Sequence, residues 1–456
     1  MSILNNALSG AIASQVALSA SSQNIANLQT KGYTRQSALL NAVAPAAGTN
    51  QAGNGVRATQ LMRFSDNYKT QQLWRSASDL GARSQTQPYL TQLESVMGDN
   101  SASISSGVDA FFSALNAVAG VDPTSTPLRQ QVVTAAGLLS QRFNSMNNVY
   151  NAQLQSVRQQ RSALIDSANS TITSIASLNA EIANANAAGA NVSSLVDARD
   201  LAIDSLASQM ALEVSDQPDG TRNISLKSGQ SLVLGGVSGK LAVSGGSAQG
   251  FSLTFAGTTF ALDPTKAGGQ LGGLSSYEQG TLLPLQQGVA DMAKQIADKV
   301  NNQLAAGYAM DGTPGKPLFV YTPGSTSNML QVADGYQTSD LAFSGDGTAG
   351  DTGNLQKLVD IKTQPLTLTK VGSVLLSDAD TQLVGRLAVD SQQNKSALTT
   401  AQSMRDQAQA DWQSTSGVNQ DEEAVHLVEY QNMYQANMKV MSVANALFDA
   451  TLQMMG

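Results

Sequence analysis

Side chains that commonly carry catalysis or bind metals are scarce in this chain of 456 residues. It has no cysteine and a single histidine, His426. On a helix, His426 has Glu422, Glu423 and Glu429 within one turn, which favours a solvated surface ion pair. A zinc site built from Cys or paired His residues is excluded, and a histidine-based triad would have to use His426. We therefore predict no catalytic residue, no metal ligand and no enzyme activity.

Two glycine-rich segments have the look of functional loops. Residues 345–350 (GDGTAG) satisfy the G-x-G-x-x-G spacing of dinucleotide-binding loops. No clear strand precedes them and no helix follows, and Asp346 and Asp351 would repel a pyrophosphate. These aspartates fit no calcium-loop spacing, and residues 53–58 (GNGVRA) favour a hairpin turn. We predict flexible loops here, with no cofactor and no bound metal.

The composition excludes further classes of partner. Charged residues make up 13% of the chain, the net charge is -8 and the sequence pI is about 4.7. Because no Lys/Arg cluster could follow a phosphate backbone, we predict that the chain binds no nucleic acid. No apolar run approaches the roughly 18 residues of a membrane-spanning helix, and no Sec-type signal peptide is present. We predict no membrane contact, and either a soluble chain or export without a cleaved signal.

Both ends of the chain show the seven-residue spacing of a narrow helical seam. Near the N-terminus the seam consists of Leu4, Ala11, Leu18 and Ile25, with Leu8 one turn after the first. Near the C-terminus it consists of Leu427, Tyr434, Met441 and Phe448, with Met438 and Leu452 on the adjoining face. No charged residue precedes Lys31, and Gly32 is predicted to end the first helix.

Between the two ends, the hydrophobic period changes twice. A helical pattern from Leu128 to about Ala188 would span roughly 90 Å at 1.5 Å per residue. Short β-branched runs between glycine-rich turns then occupy residues 211–275, and helical patterns return at 289–304 and 377–415. The predicted fold class is mainly α with a β-rich insertion. We expect an elongated multi-helix rod with paired, coiled-coil-like terminal helices and a small β domain in mid-chain.

The same patterns predict the domain organisation. Residues 1–40 with 418–456 form terminal assembly helices, 41–210 with 276–417 a helical rod domain, 211–275 a β-rich outer domain, and 311–369 an irregular loop region within the rod. Burying the terminal apolar side chains stabilises less than ordering the two end segments costs. The ends are therefore predicted to be disordered in the monomer and ordered in an assembly.

Specific stretches at both ends resemble one family. Residues 22–36 (SQNIANLQTKGYTRQ) are similar to the N-terminal signature of the bacterial flagellar axial proteins, which are the rod, hook and hook-associated proteins. The matching positions are Asn24, Ile25, Ala26, Asn27, Thr30, Gly32 and Tyr33. The C-terminal segments GVN, DEE, YQAN and ANALFDA resemble in particular the closing helix of hook-associated members at the hook–filament junction. Residues 195–206 (LVDARDLAIDSL) also resemble the helical region of those members.

The resemblance implies a function and a set of partners. It implies a structural subunit of the flagellum that joins hook to filament, is secreted by the flagellar type III pathway and assembles through its terminal helices. The implied partners are further copies in a helical or ring polymer, hook protein, the adjacent hook-associated protein, and an export chaperone at the C-terminal helix. The implied assembly residues are Leu4, Leu8, Ala11, Leu18, Ile25, Asn27, Gly32, Tyr33, Leu427, Tyr434, Met438, Met441, Phe448 and Leu452.

Two alternatives stay open. The chain could be another axial station, such as a hook or distal rod component. It could also carry an adhesin or enzyme site in the β domain, which glycan-binding and hydrolysis assays on residues 211–276 would detect.

Overall fold

The computed structural model describes residues 2–44, 53–100, 103–244 and 250–455. The fold is mainly helical, with long helices at both ends and small sheets in the middle, as predicted. The helices are α1 Ser2–Ala26, α2 Asn67–Met97, α3 Ile104–Gly120, α4 Thr126–Ala187, α5 Ser193–Gln209, α6 Gly269–Tyr277, α7 Leu283–Ala305, α8 Gly353–Asp360, α9 Ala379–Ser416 and α10 Gln420–Met455. The strands are β1 Gln36–Ala42, β2 Val56–Arg63, β3 Leu212–Asp216, β4 Arg222–Leu226, β5 Ser231–Leu234, β6 Val237–Ser238, β7 Lys240–Ser244, β8 Gly250–Phe255, β9 Thr258–Leu262, β10 Phe319–Tyr321, β11 Leu330–Val332, β12 Pro365–Leu368 and β13 Gly372–Leu375.

The longest helix, α4, confirms the helix predicted from residue 128 to 188. It has 62 residues, and Pro127 lies in its first turn, where a missing N–H removes no intrahelical hydrogen bond. Apolar residues spaced by seven along α4 are buried, as the pattern predicts. They are Val132, Leu139, Met146, Phe143, Tyr150 and Val157.

The chain divides into two compact units, and the first comprises Met1–Leu80, Ile165–Gly269 and Ala401–Gly456. It contains α1, α5, α10 and three antiparallel sheets with strand orders β1-β2, β3-β4-β5-β6 and β7-β8-β9. The terminal helices and the β region therefore share one unit, although the sequence pattern predicts separate domains for them.

The second unit comprises Gly81–Leu164 and Gln270–Thr400. Helix α7 buries the apolar face predicted for residues 289–304. Residues 311–369 are more regular than predicted, because they contain the β10–β11 hairpin, α8 and strand β12. Strands β10 and β11 have only three residues each, which is too short to give a readable alternation in the sequence.

Three local expectations differ from the structure. Helix α1 ends at Ala26 and not, as predicted, at Gly32. Gly32, at φ +81°, lies in the series of hydrogen-bonded turns that follows the helix. Asn54 N donates to Val43 O and Val43 N donates to Gly55 O, so the Asn-Gly pair continues the β1–β2 ladder and does not reverse the chain. The β region ends at β9, since the residues from Gly269 onwards form α6.

No helix within the described residues combines the length and the apolar character needed to cross a bilayer. Across the same residues, no three His, Cys, Asp or Glu side chains come together as a metal site would require.

Candidate assembly interface

The terminal helices α1 and α10 pack against each other in antiparallel orientation. Gly10 of α1 faces the side chain of Asn437. Beyond the C-terminal end of α1, Arg35 N donates to Ser416 O at 2.9 Å. The Arg35 guanidinium contacts Glu422 and Glu423, in the first turn of α10, at 2.8 and 2.9 Å. The end of α1 therefore lies beside the start of α10.

The buried side chains of α1 are small, and this differs from the predicted seam. Helix α1 lies against both α10 and the β1–β2 hairpin, and between them it buries Ala7, Ala11, Ala13, Ser14, Ala17, Ala20, Ser21 and Asn24. Of the predicted seam, only Ala11 is buried. Leu4, Leu18 and Ile25 are half-buried, and Leu8 is 45% exposed. Helices approach closely only where side chains are small, so the larger apolar residues lie at the margins of the contact.

The predicted seam of α10 is half-buried from Leu427 to Met441 and exposed at Phe448. Leu427, Tyr434 and Met441 are half-buried at their seven-residue spacing. In contrast, Met438 is 41%, Leu452 55% and Phe448 61% exposed. The second half of α10 therefore presents large apolar side chains that the single chain does not cover.

The signature stretch closes the end of α1 through one buried amide. Asn24 is 0% exposed, and its Nδ2 donates to Gln36 O at 2.8 Å. Its Oδ1 accepts hydrogen bonds from Gln36 N at 3.0 Å and from the Tyr33 hydroxyl at 2.9 Å. Asn24 thus pairs with the first backbone residue of β1 as a strand neighbour would. This fixes where the chain leaves the helix and enters the hairpin.

Two other signature residues stabilise the turn itself. Asn27 donates to Gln23 O at 2.9 Å and accepts from the Thr30 hydroxyl at 3.1 Å, both at the surface. Gly32 adopts φ +81°, a conformation that residues with a Cβ atom rarely take. Burial, together with the negative charges of Asp197 and Glu423, raises the pKa of Tyr33 to about 12.

An acidic face on α5 contacts the turn and several other elements, and none of the sequence predictions includes it. Asp197 and Asp200 both contact Arg63 of β2, at 2.6 and 3.0 Å, and Asp197 also accepts from Thr34 N at 3.1 Å. Burial raises the pKa of Asp197, against the opposing effect of Arg63. The two carboxylates are three residues apart, which places them on the same face of the helix.

The same face continues one turn further. Asp200 pairs with Arg222 of β4, and Asp204 accepts two hydrogen bonds from Arg405 of α9, at 2.9 and 2.8 Å. Helix α5 therefore contacts the signature turn (residues 27–35), the β1–β2 hairpin, the β region and the end of α9, all within one unit. The signal was present in LVDARDLAIDSL, where Asp197, Asp200 and Asp204 follow the spacing of one helix face.

A cavity of about 300 Å³ lies beneath the signature turn. Lys31, Gly32, Trp74 and Trp412 are among its lining residues. These are the two tryptophans of the sequence, so tryptophan fluorescence reports on this part of the molecule.

The residues considered for catalysis or metal binding have local partners. His426 stacks on Tyr430 with ring centroids 5.7 Å apart, and its Nδ1 lies 3.6 Å from the Glu429 carboxylate, a contact that is an ion pair only when the imidazole is protonated. Glu423, expected beside His426, is buried and pairs with Arg35. In the GDGTAG segment, Asp346 accepts from Thr348 N at 2.8 Å and Asp351 from Gly353 N at 3.2 Å. Both carboxylates therefore accept hydrogen bonds from backbone N–H groups of their own loop.

Two family models match the chain. The flagellar hook-associated protein FlgK helical domain matches residues 90–319, which is half of the chain. The flagellar basal body rod FlgEFG protein C-terminal model matches residues 412–454, the end of α9 and nearly all of α10.

Whole-chain relatives carry one name. Flagellar hook-associated protein 1 of Escherichia coli K12 is 26% identical over 99% of this chain and 99% of its own length. The protein of that name from Bacillus subtilis 168 is 27% identical over 97% and 96%. Among solved structures, the flagellar hook junction protein FlgK from Burkholderia pseudomallei aligns with a TM-score of 0.67 at 17% identity. The alignment covers 75% of this chain and 100% of that one. This likeness shows a shared fold.

Proposed function

Because this chain belongs to the family of the flagellar hook-associated protein FlgK, a structural component of the hook–filament junction, we propose that α1 and α10 assemble it there. The subunit is exported by the flagellar type III pathway, takes its place between hook and filament, and catalyses no reaction.

The observation that carries this proposal is the uncovered apolar surface of α10. Val443, Leu447 and Phe448 are 55%, 59% and 61% exposed. Large apolar side chains gathered on one helix are costly to leave in water, and such a surface marks a contact with another protein. One side of the α1–α10 pair is thus buried within the chain by small residues. The other side, the open side, exposes apolar residues that neighbours in a polymer can cover.

The proposed partners are those that the family implies. Copies of the chain form the polymer, with hook protein on one side and the adjacent hook-associated protein on the other. Before export, a chaperone shields α10 by binding Leu427, Tyr434, Met441 and Phe448 in a groove of its own.

We propose the following domain organisation for the assembled subunit. Residues 1–40 and 418–456 become ordered when neighbours surround them, residues 41–210 with 276–417 form the helical rod, and 211–275 an outer β-rich domain. Leu4, Leu8, Ala11, Leu18 and Ile25 of α1, with Met438 and Leu452 of α10, join the residues above in contacts within the polymer. Asn27, Gly32 and Tyr33 set the turn that directs the chain out of the terminal pair.

A second candidate is another axial station, such as hook or distal rod. The match of residues 412–454 to the rod protein model favours it, because that model describes the C-terminal segment of rod and hook proteins. Electron microscopy of a strain lacking the gene distinguishes these two hypotheses. A junction subunit leaves complete hooks without filaments, whereas loss of a hook or rod component leaves no complete hook.

Complementation of that strain tests the role of α10. A chain ending at Gly417 should keep the helicity of α4 by circular dichroism yet restore no filaments and bind no chaperone. As a matched pair, Phe448→Asp (61% exposed) should block filament restoration, whereas Val389→Asp (65% exposed, on α9) should not. Normal filaments from the truncated chain would refute assembly through α10.

A further inference from the structure

Helix α1 meets the β1–β2 hairpin at a glycine that lies just before β2. A Cβ atom at Gly55 would collide with the side chain of Ser9 and lie 3.3 Å from Asn6 Cα. Beside it, Val56 N donates to Ser9 Oγ at 3.2 Å, and Asn6 Nδ2 donates to Gly53 O at 3.4 Å. The position of α1 on the hairpin therefore depends on the course of the backbone through this short stretch.

Asn54 precedes that glycine, and the two residues form the single Asn-Gly pair of the sequence. An asparagine followed by glycine is prone to deamidation, because no Cβ atom hinders attack of the glycine nitrogen on the side-chain amide. Asn54 is exposed, and the one hydrogen bond that its side chain makes among the described residues joins Nδ2 to Ala44 O at 3.2 Å. Water therefore reaches the amide group directly.

A β-bulge leaves the attacking nitrogen without an acceptor. Asn54 N donates to Val43 O at 2.9 Å and Val43 N donates to Gly55 O at 2.8 Å, so two residues lie opposite one. Within the part of the chain that the structure describes, Gly55 N donates to no acceptor. The bulge thus holds both residues by their other backbone groups, and Gly55 N has no hydrogen bond to break before it reacts.

We propose that Asn54 is a site of spontaneous deamidation in the folded chain. Gly55 N forms a bond to Asn54 Cγ, the bond from Cγ to Nδ2 breaks, and the Gly55 N–H proton leaves with Nδ2 as ammonia. The product is a cyclic succinimide. A water molecule then opens the ring, adding its hydroxyl to one imide carbonyl carbon and its remaining proton to the nitrogen. Opening at Cγ gives aspartate, and opening at the main-chain carbonyl carbon gives isoaspartate.

Either product alters the contact with α1. Isoaspartate lengthens the main chain by one methylene group directly before Gly55, which shifts this glycine from its tight contact with Ser9. Both products also place a negative charge beside α1, a helix that contains no Asp, Glu, Lys or Arg. We therefore expect deamidation to loosen α1 from the hairpin, whereas the packing of Gly10 against Asn437 in α10 persists.

Peptide mass spectrometry of the full-length chain, aged in mildly alkaline buffer, tests the site. The mass gain that marks replacement of NH2 by OH should appear at Asn54 about tenfold faster or more than at Asn144 and Asn169, because these precede serines whose nitrogens are bonded within α4. Asn54→Gln is the control and should give no product at that position, since its longer side chain closes the ring more slowly. Deamidation at Asn144 or Asn169 as fast as at Asn54 would overturn the proposal.

The same measurement in urea separates the effect of the fold from that of the sequence. Because the bulge leaves Gly55 N without an acceptor, the rate at Asn54 in the folded chain should lie within about tenfold of the rate in the unfolded chain. The rates at Asn144 and Asn169 should rise far more on unfolding. A folded rate at Asn54 below that range would show that the hairpin protects the site, contrary to the proposal.

Amide exchange on the aged chain tests the consequence for α1. The amide of Val56, which donates to Ser9 Oγ, should exchange about tenfold faster after deamidation, while the amides of α4 stay unchanged. Asn54→Asp adds the charge without lengthening the chain, so it should produce a smaller acceleration. Unchanged exchange at Val56 in a fully deamidated chain would refute the loosening of α1.

Discussion

Gly10 and Asn437 are in such close contact that a Cβ atom at position 10 would lie 2.6 Å from the Asn437 side-chain oxygen. Gly10→Ala should therefore force Asn437 to rotate and give up its hydrogen bond to Met433 O. Relative to the gain that alanine gives at an unobstructed helix position, we expect Gly10→Ala to cost the α1–α10 pair about 1 kcal/mol. The measurement is thermal unfolding of the full chain by circular dichroism.

Removing the obstructing amide should reverse the effect. The double variant Gly10→Ala with Asn437→Ala should recover the loss, which gives a coupling energy of about 1 kcal/mol. Gly137 of α4 is the control, because nothing lies within 4 Å of a Cβ atom there. Gly137→Ala should stabilise by about 0.5 to 1 kcal/mol through helix propensity alone. Equal gains at positions 10 and 137 would mean that α1 and α10 do not approach this closely.

Asn24→Ala should loosen the start of β1. The substitution removes the acceptor for Gln36 N and the donor for Gln36 O at a site that is 0% exposed. Unsatisfied buried backbone groups cost about 1–3 kcal/mol, so amide exchange at Gln36 should accelerate about tenfold or more. Asn27→Ala is the control, since its hydrogen bonds lie at the surface. Similar exchange in both variants would show that Asn24 does not hold the strand.

Asp204→Ala should destabilise the unit that contains the terminal helices. It removes both hydrogen bonds to Arg405, whose side chain is 16% exposed, and leaves a largely buried cation without its carboxylate. The expected loss is about 3 kcal/mol. Urea unfolding followed by tryptophan fluorescence measures it, because Trp74 and Trp412 line the cavity that Asp204 also borders.

The exposed pair Lys294–Asp298 provides the comparison. Its side chains are 57% and 51% exposed, so Asp298→Ala should leave the urea midpoint almost unchanged. Comparable losses from the two substitutions would argue against a special role for the α5 carboxylates.

The elements that could be predicted are those whose sequence repeats over many turns. Helix α4 repeats its apolar spacing along 62 residues, so both its length and its buried face can be predicted from the sequence. Strands β10 and β11 have three residues each, too few for any period to emerge. Their position depends on contacts with distant parts of the chain, such as Asn144 Nδ2 donating to Leu330 O at 2.8 Å.

The terminal site was predicted in outline but not in its packing. Seven-residue spacing predicts a seam of Leu4, Ala11, Leu18 and Ile25, yet only Ala11 of these is buried. The face that α1 buries consists of Ala and Ser residues and Asn24. Hydrophobicity alone ranks Leu above Ala, whereas close approach of two helices favours the smaller side chain. The partners of Asp197 and Asp204 are Arg63 and Arg405, respectively, which lie far from them in the sequence. Spacing identifies one helix face but not what meets it.

Stability should fall in alkaline solution as Tyr33 ionises. Its pKa is raised from 10.0 to about 12 in the folded chain, chiefly by burial, so the folded state holds the proton more tightly than the unfolded state. The resulting stabilisation is complete below pH 10 and is lost as the pH rises towards 12. Tyr33→Phe should remove this part of the pH dependence, which urea midpoints measured on both chains would reveal. Parallel pH profiles would rule out Tyr33 as the source.

Amide hydrogen exchange on the dilute monomer tests whether assembly orders the terminal helices. Apolar side chains of α4 are 0–3% exposed at Val132, Phe143, Met146 and Tyr150, whereas most side chains in the second half of α10 are exposed. Segments with few buried contacts open at low free energy. We expect α1 and α10 to exchange much faster than α4, and residues 446–455 of α10 fastest of all. In assembled filaments, the same amides should become protected. If a solitary chain already protects α10 as strongly as α4, neighbours are not needed to order it, and the open side of α10 would need another explanation.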